Sequence, residues 1–222
     1  MGNDTDWGVL SPILQESIWQ TLLMVAVTVV VGGGLGLVLG VLLYTTRAGG
    51  ILANRAVYTV LNLLVNIVRP IPFIIFITAV GPLTLNVMGT TVGTRAVLFP
   101  LALAATFGIS RIVEQNLVSV DPGVIEAAEA MGASPWRTIR TVLIPEALGP
   151  LVLGYTFALV AVVDMTAIAG AIGGGGLGQF AITYGYQRFD WTVTWVAVAI
   201  IVVIVQVAQF SGNALSRKIM RR

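Results

Sequence analysis

Few residues in this chain have the types and spacing that chemistry needs. Asp164 is the only acidic residue well inside an apolar block, Gly173 to Gly178 spell G-x-G-x-x-G in "GGGGLG", and Ile125–Leu148 gathers Glu126, Glu129, Glu146, Arg137 and Arg140. A G-x-G-x-x-G cradles a dinucleotide only where it joins a strand to a helix in a βαβ unit. Here it follows a long apolar run, so that chemistry is excluded. ATP binding through a P-loop is excluded too, because the sole lysine, Lys218, precedes Ile219 and no G-x-x-x-x-G-K-[ST] exists. The absence of His and Cys removes thiol chemistry and the commonest zinc ligands, and no G-x-S-x-G is present. Asp164 is left as the chemical outlier, since an ionisable group inside a membrane costs about 2.5–3.5 kcal/mol and usually faces a bundle interior. It could meet a substrate ammonium, line a route between protomers or affect gating. It could equally be protonated or hydrogen-bonded in helix packing.

The elements that must position these residues are written in the composition. Of 222 residues 57% are apolar and 10% charged, with a mean hydropathy of +0.94, against about 25% charged in soluble domains. Blocks free of Asp, Glu, Lys and Arg cover 17–46, 70–94, 96–110, 147–163, 165–187 and 191–216, and one crossing needs about 20 apolar residues. We read about five transmembrane helices, 17–43, 70–89, 94–115, 147–170 and 191–213, with Arg111 snorkelling to the headgroups and Asp164 inside the fourth. The alternation of a barrel is absent, so the fold class is an all-α integral membrane protein. No linker or fixed-period repeat divides 1–222, which reads as a single transmembrane domain.

Asp4, Asp6 and Glu16 precede or open the first run, unlike the basic start of a cleavable signal, so this helix is expected to stay. Arg47, Arg55, Arg137, Arg140, Arg217, Lys218, Arg221 and Arg222 fall on one side of the crossings, and Arg95 and Arg188 on the other. The positive-inside rule then puts the N-terminus outside and the C-terminus in the cytoplasm. The basic pI of about 9.3 reflects this orientation and contact with anionic membrane lipid. No nucleic-acid partner is expected.

Gly32, Gly36 and Gly40 lie four apart on one helix face, the spacing that lets membrane helices approach closely. Their partner is either internal or another protomer, and a gate is the alternative to packing. Residues 48–68 carry Asn62 and Asn66 at i, i+4 and fit an interfacial or re-entering helix. "RPIP" at 69–72 marks a break, Gly81-Pro82 a kink or an end, and "GTTVGT" an outer turn. "AGAIGGGGLGQ" is expected to unwind the chain beyond the fourth crossing, placing Gly173 and Gly174 with Asp164 on a translocation path. The alternative is an outer loop with flexible packing.

The charged island, about 116–146, has its own punctuation. Asp121-Pro122 starts a helix, Gly132 caps it, Ser134-Pro135 starts another, and Pro145 stops that one. Val124, Ala128 and Met131 share one face of the first, and Trp136, Ile139 and Leu143 one face of the second. That apolar ridge could cover the protein's own helices or the membrane, or fill a groove in a cytoplasmic partner.

The order Glu126-Ala127-Ala128, Gly132, then Val142, Ile144 and Pro145 resembles the EAA motif of ATP-binding-cassette importer permeases, E-A-A, three residues, G, nine residues, I-x-L-P. "GVLLYTTRAGG", "VNIVRPIPFII", "IPEALGPLV" and "GAIGGGGLGQFAITYGYQRF" look like the methionine-import branch. The resemblance implies a permease subunit in a bacterial inner membrane, importing an amino acid, most simply methionine, by alternating access. It implies a second copy of the chain, two ATPase subunits that hold the ATP and magnesium, and an external substrate-binding lipoprotein. This chain itself would bind no cofactor and perform no bond chemistry. Glu126 and Gly132 would shape the docking element, Ala127, Ala128 and Ala133 would permit close approach, Met131, Trp136 and Ile139 would supply apolar contacts, and Pro145 would close the motif. Asp164 matches no motif of that family and keeps two alternatives, a gradient-driven carrier or channel, or an ABC permease for another small substrate.

Overall fold

The computed structural model describes residues 5–220. Asp4, Arg221 and Arg222, used above for orientation, lie outside the described residues. Helices follow in the order α1 (Trp7–Thr46), α2 (Arg55–Val68), α3 (Phe73–Ala79), α4 (Gly81–Met88), α5 (Thr94–Val118), α6 (Pro122–Ala130), α7 (Pro135–Thr138), α8 (Leu148–Gly174), α9 (Gly176–Phe180) and α10 (Trp191–Met220). No strand occurs among the described residues.

Four of these, α1, α5, α8 and α10, are long and apolar enough to cross a membrane. The expected crossing at 70–89 is not one helix. Pro72 accepts the first bonds of α3 through its carbonyl, α3 ends at Val80, and Pro82 opens α4, where a missing amide costs nothing. The fifth candidate is instead the pair α2 and α3, bent by 108° across Arg69–Pro72. The first crossing also begins ten residues before the expected Ser17, because the Asp6 carboxylate accepts from the amides of Gly8 and Val9 and caps α1 at Trp7. A π-turn at Thr28–Gly32 lies within it.

Chain contacts group into two compact units, each assembled from three stretches. One holds the chain up to Gly32, Ile71–Ala105 and Leu159–Ala208; the other holds Gly33–Pro70, Thr106–Ala158 and the chain from Gln209. In the first unit Met24, Ile77, Val97, Leu101 and Ala169 form one buried cluster, and Leu10, Phe180, Val193 and Ala197 another. Lipid tails are as apolar as leucine, so such clusters gain dispersion contacts more than water release. Small residues therefore decide the approach: a Cβ on Gly32 would sit 2.6 Å from the Ala102 carbonyl oxygen.

In the second unit a Cβ on Gly36 would sit 2.9 Å from the Ile109 side chain, and one on Gly40 would sit 2.6 Å from both the Ser110 carbonyl oxygen and Val113 Cβ. The glycine stripe of α1 thus packs internally, on α5. Tyr155 donates its hydroxyl to the Gly33 carbonyl at 2.7 Å, and Ser216 donates to the Gly149 carbonyl at 3.0 Å. Arg111, expected to reach out to the headgroups, is engaged within the protein. Its guanidinium donates to Asn62 Oδ1 at 2.8 Å and Asn66 Oδ1 at 2.6 Å while pairing with Glu114, so the i, i+4 asparagines of α2 bind a neighbouring charge that would otherwise need water.

Candidate functional site

The charged island folds as a helix, a turn and a second helix within the second unit. Asp121 caps α6 by accepting from the Gly123 amide at 2.8 Å, and Pro122 occupies the first turn. The end of α6 is a Schellman turn: the Gly132 amide donates to Glu129 at 2.9 Å and the Ala133 amide to Ala128 at 3.1 Å. This geometry puts Gly132 at φ +79°, where a side chain is strained, although a Cβ there would meet nothing within 4 Å.

After Ser134, which precedes α7 without a side-chain cap, the helix continues through a π-turn at Ile139–Leu143 into Ile144–Glu146. Pro145 therefore does not stop the second helix. It occupies the first turn of that last segment, a position where its missing amide is not needed, and α8 begins at Leu148.

The ridge expected on this island divides. Ile125, Ala128, Ile139 and Leu143 are buried within the chain, whereas Met131 is 81% and Trp136 70% exposed. Ile139 and Ala128 are thereby corrected from outward contacts to the seat on which the loop rests. Glu126, Ala127, Gly132 and Pro145 are exposed and Ala133 is half-buried. The result is a buried apolar base presenting a flexible thioether and a large indole to the outside, the side-chain types that concentrate affinity in protein interfaces.

The first unit holds the other expected residues. Backbone near Gly170–Gly174 leaves helical geometry at Ile172 and at Gly173, which has φ +89°. Gly175 and Gly176 also take positive φ, so the glycine run is unwound as its composition predicts. It is nonetheless pinned: the Gly176 amide donates to Gln20 Oε1 at 2.7 Å, the Leu177 amide to Thr21 Oγ1 at 2.8 Å, and the Gly175 amide to Gln179 Oε1 at 2.9 Å. Gln20 and Thr21 were not singled out from sequence; a glutamine and a threonine inside an apolar run were the available signal. Gly174 is buried, and a Cβ there would meet the Ala169 carbonyl oxygen at 2.6 Å.

Asp164 does not face the bundle interior of its own chain. Its side chain lies exposed on α8, in line with exposed Ala161 and Ala171, and makes no hydrogen bond or ion pair among the described residues. It is not brought into contact with Gly173 or Gly174. A carboxylate on this face is costly against lipid and cheap only against water or a second protein surface.

Comparison with known proteins gives these features a family. Residues 32–221 match the model of the binding-protein-dependent transport system inner membrane component. The chain belongs to this family. Among relatives of this inner-membrane component, a protein described as a probable D-methionine transport system permease, MetI, of Vibrio cholerae is 43% identical over 212 residues, covering 96% of this chain and 94% of that one. The methionine import system permease MetP of Bacillus subtilis is 42% identical, with 82% of each chain covered. A chain of the inward-facing MetNI methionine ABC transporter superposes with a TM-score of 0.93 at 40% identity, covering 95% of this chain and 98% of that one. The fold class and the reading as an ABC permease, reached above from the EAA pattern, agree with these findings.

Proposed function

We propose that this chain is the permease subunit of an ATP-driven importer of methionine, working as two copies with two ATPase subunits and an external binding lipoprotein. The observation that carries this reading is the agreement of 43% identity across nearly the whole chain with a methionine permease relative and a loop whose base is buried while Met131 and Trp136 are presented outward. In this reading the ATPase subunits bind ATP and magnesium, and their closure moves the loop between two seats, biasing the permease between inward and outward access. The basic residues flanking the crossings support a cytoplasmic loop and C-terminus and an external N-terminus. Glu126, Gly132 and Trp136 act as the ATPase contact, and Asp164 faces a route shared with the second copy, which would relieve its exposure to lipid.

The test is purification of the tagged chain in mild detergent from its native membranes, with mass spectrometry of co-purifying proteins and uptake of labelled methionine. A P-loop ATPase recovered with the chain, together with ATP-dependent uptake, is expected. A second reading rests on the exposed Asp164: a carrier driven by an ion gradient. It predicts that uptake stops when the proton gradient is collapsed with ATP held high, and that no ATPase co-purifies.

A further inference from the structure

The first unit contains a cavity of about 260 Å³ between α1, the start of α5, the glycine run and α9, and no step above uses it. Glu16, Ser17 and Gln20 line one wall, Thr94 and Gln179 another, and Ile13 and Phe180 supply the apolar side. Its polar groups are only partly employed. Glu16 Oε1 accepts from Gln20 Nε2 at 2.9 Å, Gln20 Oε1 and Gln179 Oε1 hold glycine-run amides, and Ser17 is only 6% exposed, yet makes no hydrogen bond among the described residues. The second Glu16 oxygen, the Ser17 and Thr94 hydroxyls and Gln179 Nε2 likewise have no partner there. These groups keep hydrogen-bonding capacity for a partner bound in the cavity.

The chemistry of what remains is directional. The lining offers one carboxylate, the three hydroxyls of Ser17, Thr94 and Tyr184, one uncommitted amide donor on Gln179, no basic side chain, and an isoleucine and a phenylalanine. We propose that this cavity is a binding site for a small amino acid with an apolar side chain, its ammonium received by Glu16 and Ser17, its carboxylate by Gln179 Nε2, and its side chain by Ile13 and Phe180. The inference rests on the transport reading for the identity of the probe. It also gives the pinned glycine run a role: its three positive-φ glycines form the wall, so an occupant touches the very segment that ends α8.

The test uses the permease with its ATPase subunits in lipid nanodiscs, without nucleotide, and photo-methionine, whose side-chain diazirine labels what it touches. Labelled peptides are mapped on this chain alone. We expect labelling within 13–20 or 176–184, competed by L-methionine and not by N-acetyl-L-methionine, whose ammonium is blocked. Glu16→Gln and Ser17→Ala should each reduce it, Glu16→Gln by about tenfold or more, as for loss of a charge-assisted hydrogen bond. Labelling elsewhere only, equal competition by the acetylated compound, or unchanged labelling in both variants overturns the site. Methionine uptake by the wild-type complex separates the two readings: uptake without labelling here removes the cavity site and leaves the transporter, whereas Glu16-dependent labelling in a complex that takes up no amino acid keeps the site and removes the transport assignment.

Discussion

The glycines of α1 and the glycine of the charged loop are the same residue used for opposite reasons. At Gly40 the backbone is helical and ordinary, but a Cβ would lie 2.6 Å from Val113 Cβ. At Gly132 a Cβ would meet nothing within 4 Å, but φ is +79°. One glycine is required by its neighbours and the other by its own backbone. The difference teaches where each substitution acts: the α1 stripe holds the permease together, whereas Gly132 shapes an exposed turn that the proposed function assigns to the ATPase contact.

Five substitutions at four positions break or sharpen this contrast. The largest effect is expected from Gly40→Leu, which forces a branched side chain into the Ser110 carbonyl and Val113. Overpacking of well-packed sites costs about 1–3 kcal/mol or more, and backbone atoms cannot yield as side chains do, so membrane levels should collapse on immunoblots. Normal levels with normal uptake would show that α1 and α5 separate freely. Next comes Trp136→Ala, at an exposed position where chain stability should stay within about 0.5 kcal/mol. Its effect on association should reach about 2 kcal/mol, as for a tryptophan hot spot, read as reduced ATPase recovery at unchanged membrane level. Full recovery would remove Trp136 from the contact.

Gly132→Trp is expected to uncouple uptake while the protein still inserts, since the left-handed backbone costs a non-glycine residue about 1–2 kcal/mol and the indole would stand on the docking side. Gly132→Asn, whose side chain tolerates that conformation, should insert equally and retain more uptake. Equal loss in both would show that neither bulk nor backbone strain sets the defect and that any side chain at this position breaks the contact, and normal uptake by Gly132→Trp would remove the coupling role. The smallest effect is Gly34→Ala: this helical glycine of α1 is exposed and has no atom within 4 Å of its added Cβ, so thermal stability and uptake should match wild type. A clear loss would place a partner on that face.

Much of the fold was legible because membrane helices and caps are local. Asp121-Pro122 and Gly132 announced α6 and its end, since caps satisfy amides and carbonyls within a few residues. The same logic misread Pro145, because a proline that stops one helix and a proline that opens the next look alike in sequence. At 70–89 length and hydropathy suggested one crossing, yet Pro72 and Pro82 divide the chain into two short helices with an intervening end at Val80. In the candidate site, the EAA spacing identified the loop, but exposure separated Met131 and Trp136 from Ile139 and Ala128, which share its apolar character.

By itself the sequence determined the class, the apolar spans, the positions of the loop helices and the unwinding of the glycine run, because each follows from lipid solvation or from bonds between near neighbours. Tertiary structure alone decided that the α1 stripe packs on α5, that Arg111 pairs with Asn62 and Asn66, that Asp164 faces away from its own chain, and that Gln20 holds Gly176. Those outcomes depend on which surfaces meet. The Gln20–Gly176 bond spans 156 residues, a separation across which no local periodicity carries information.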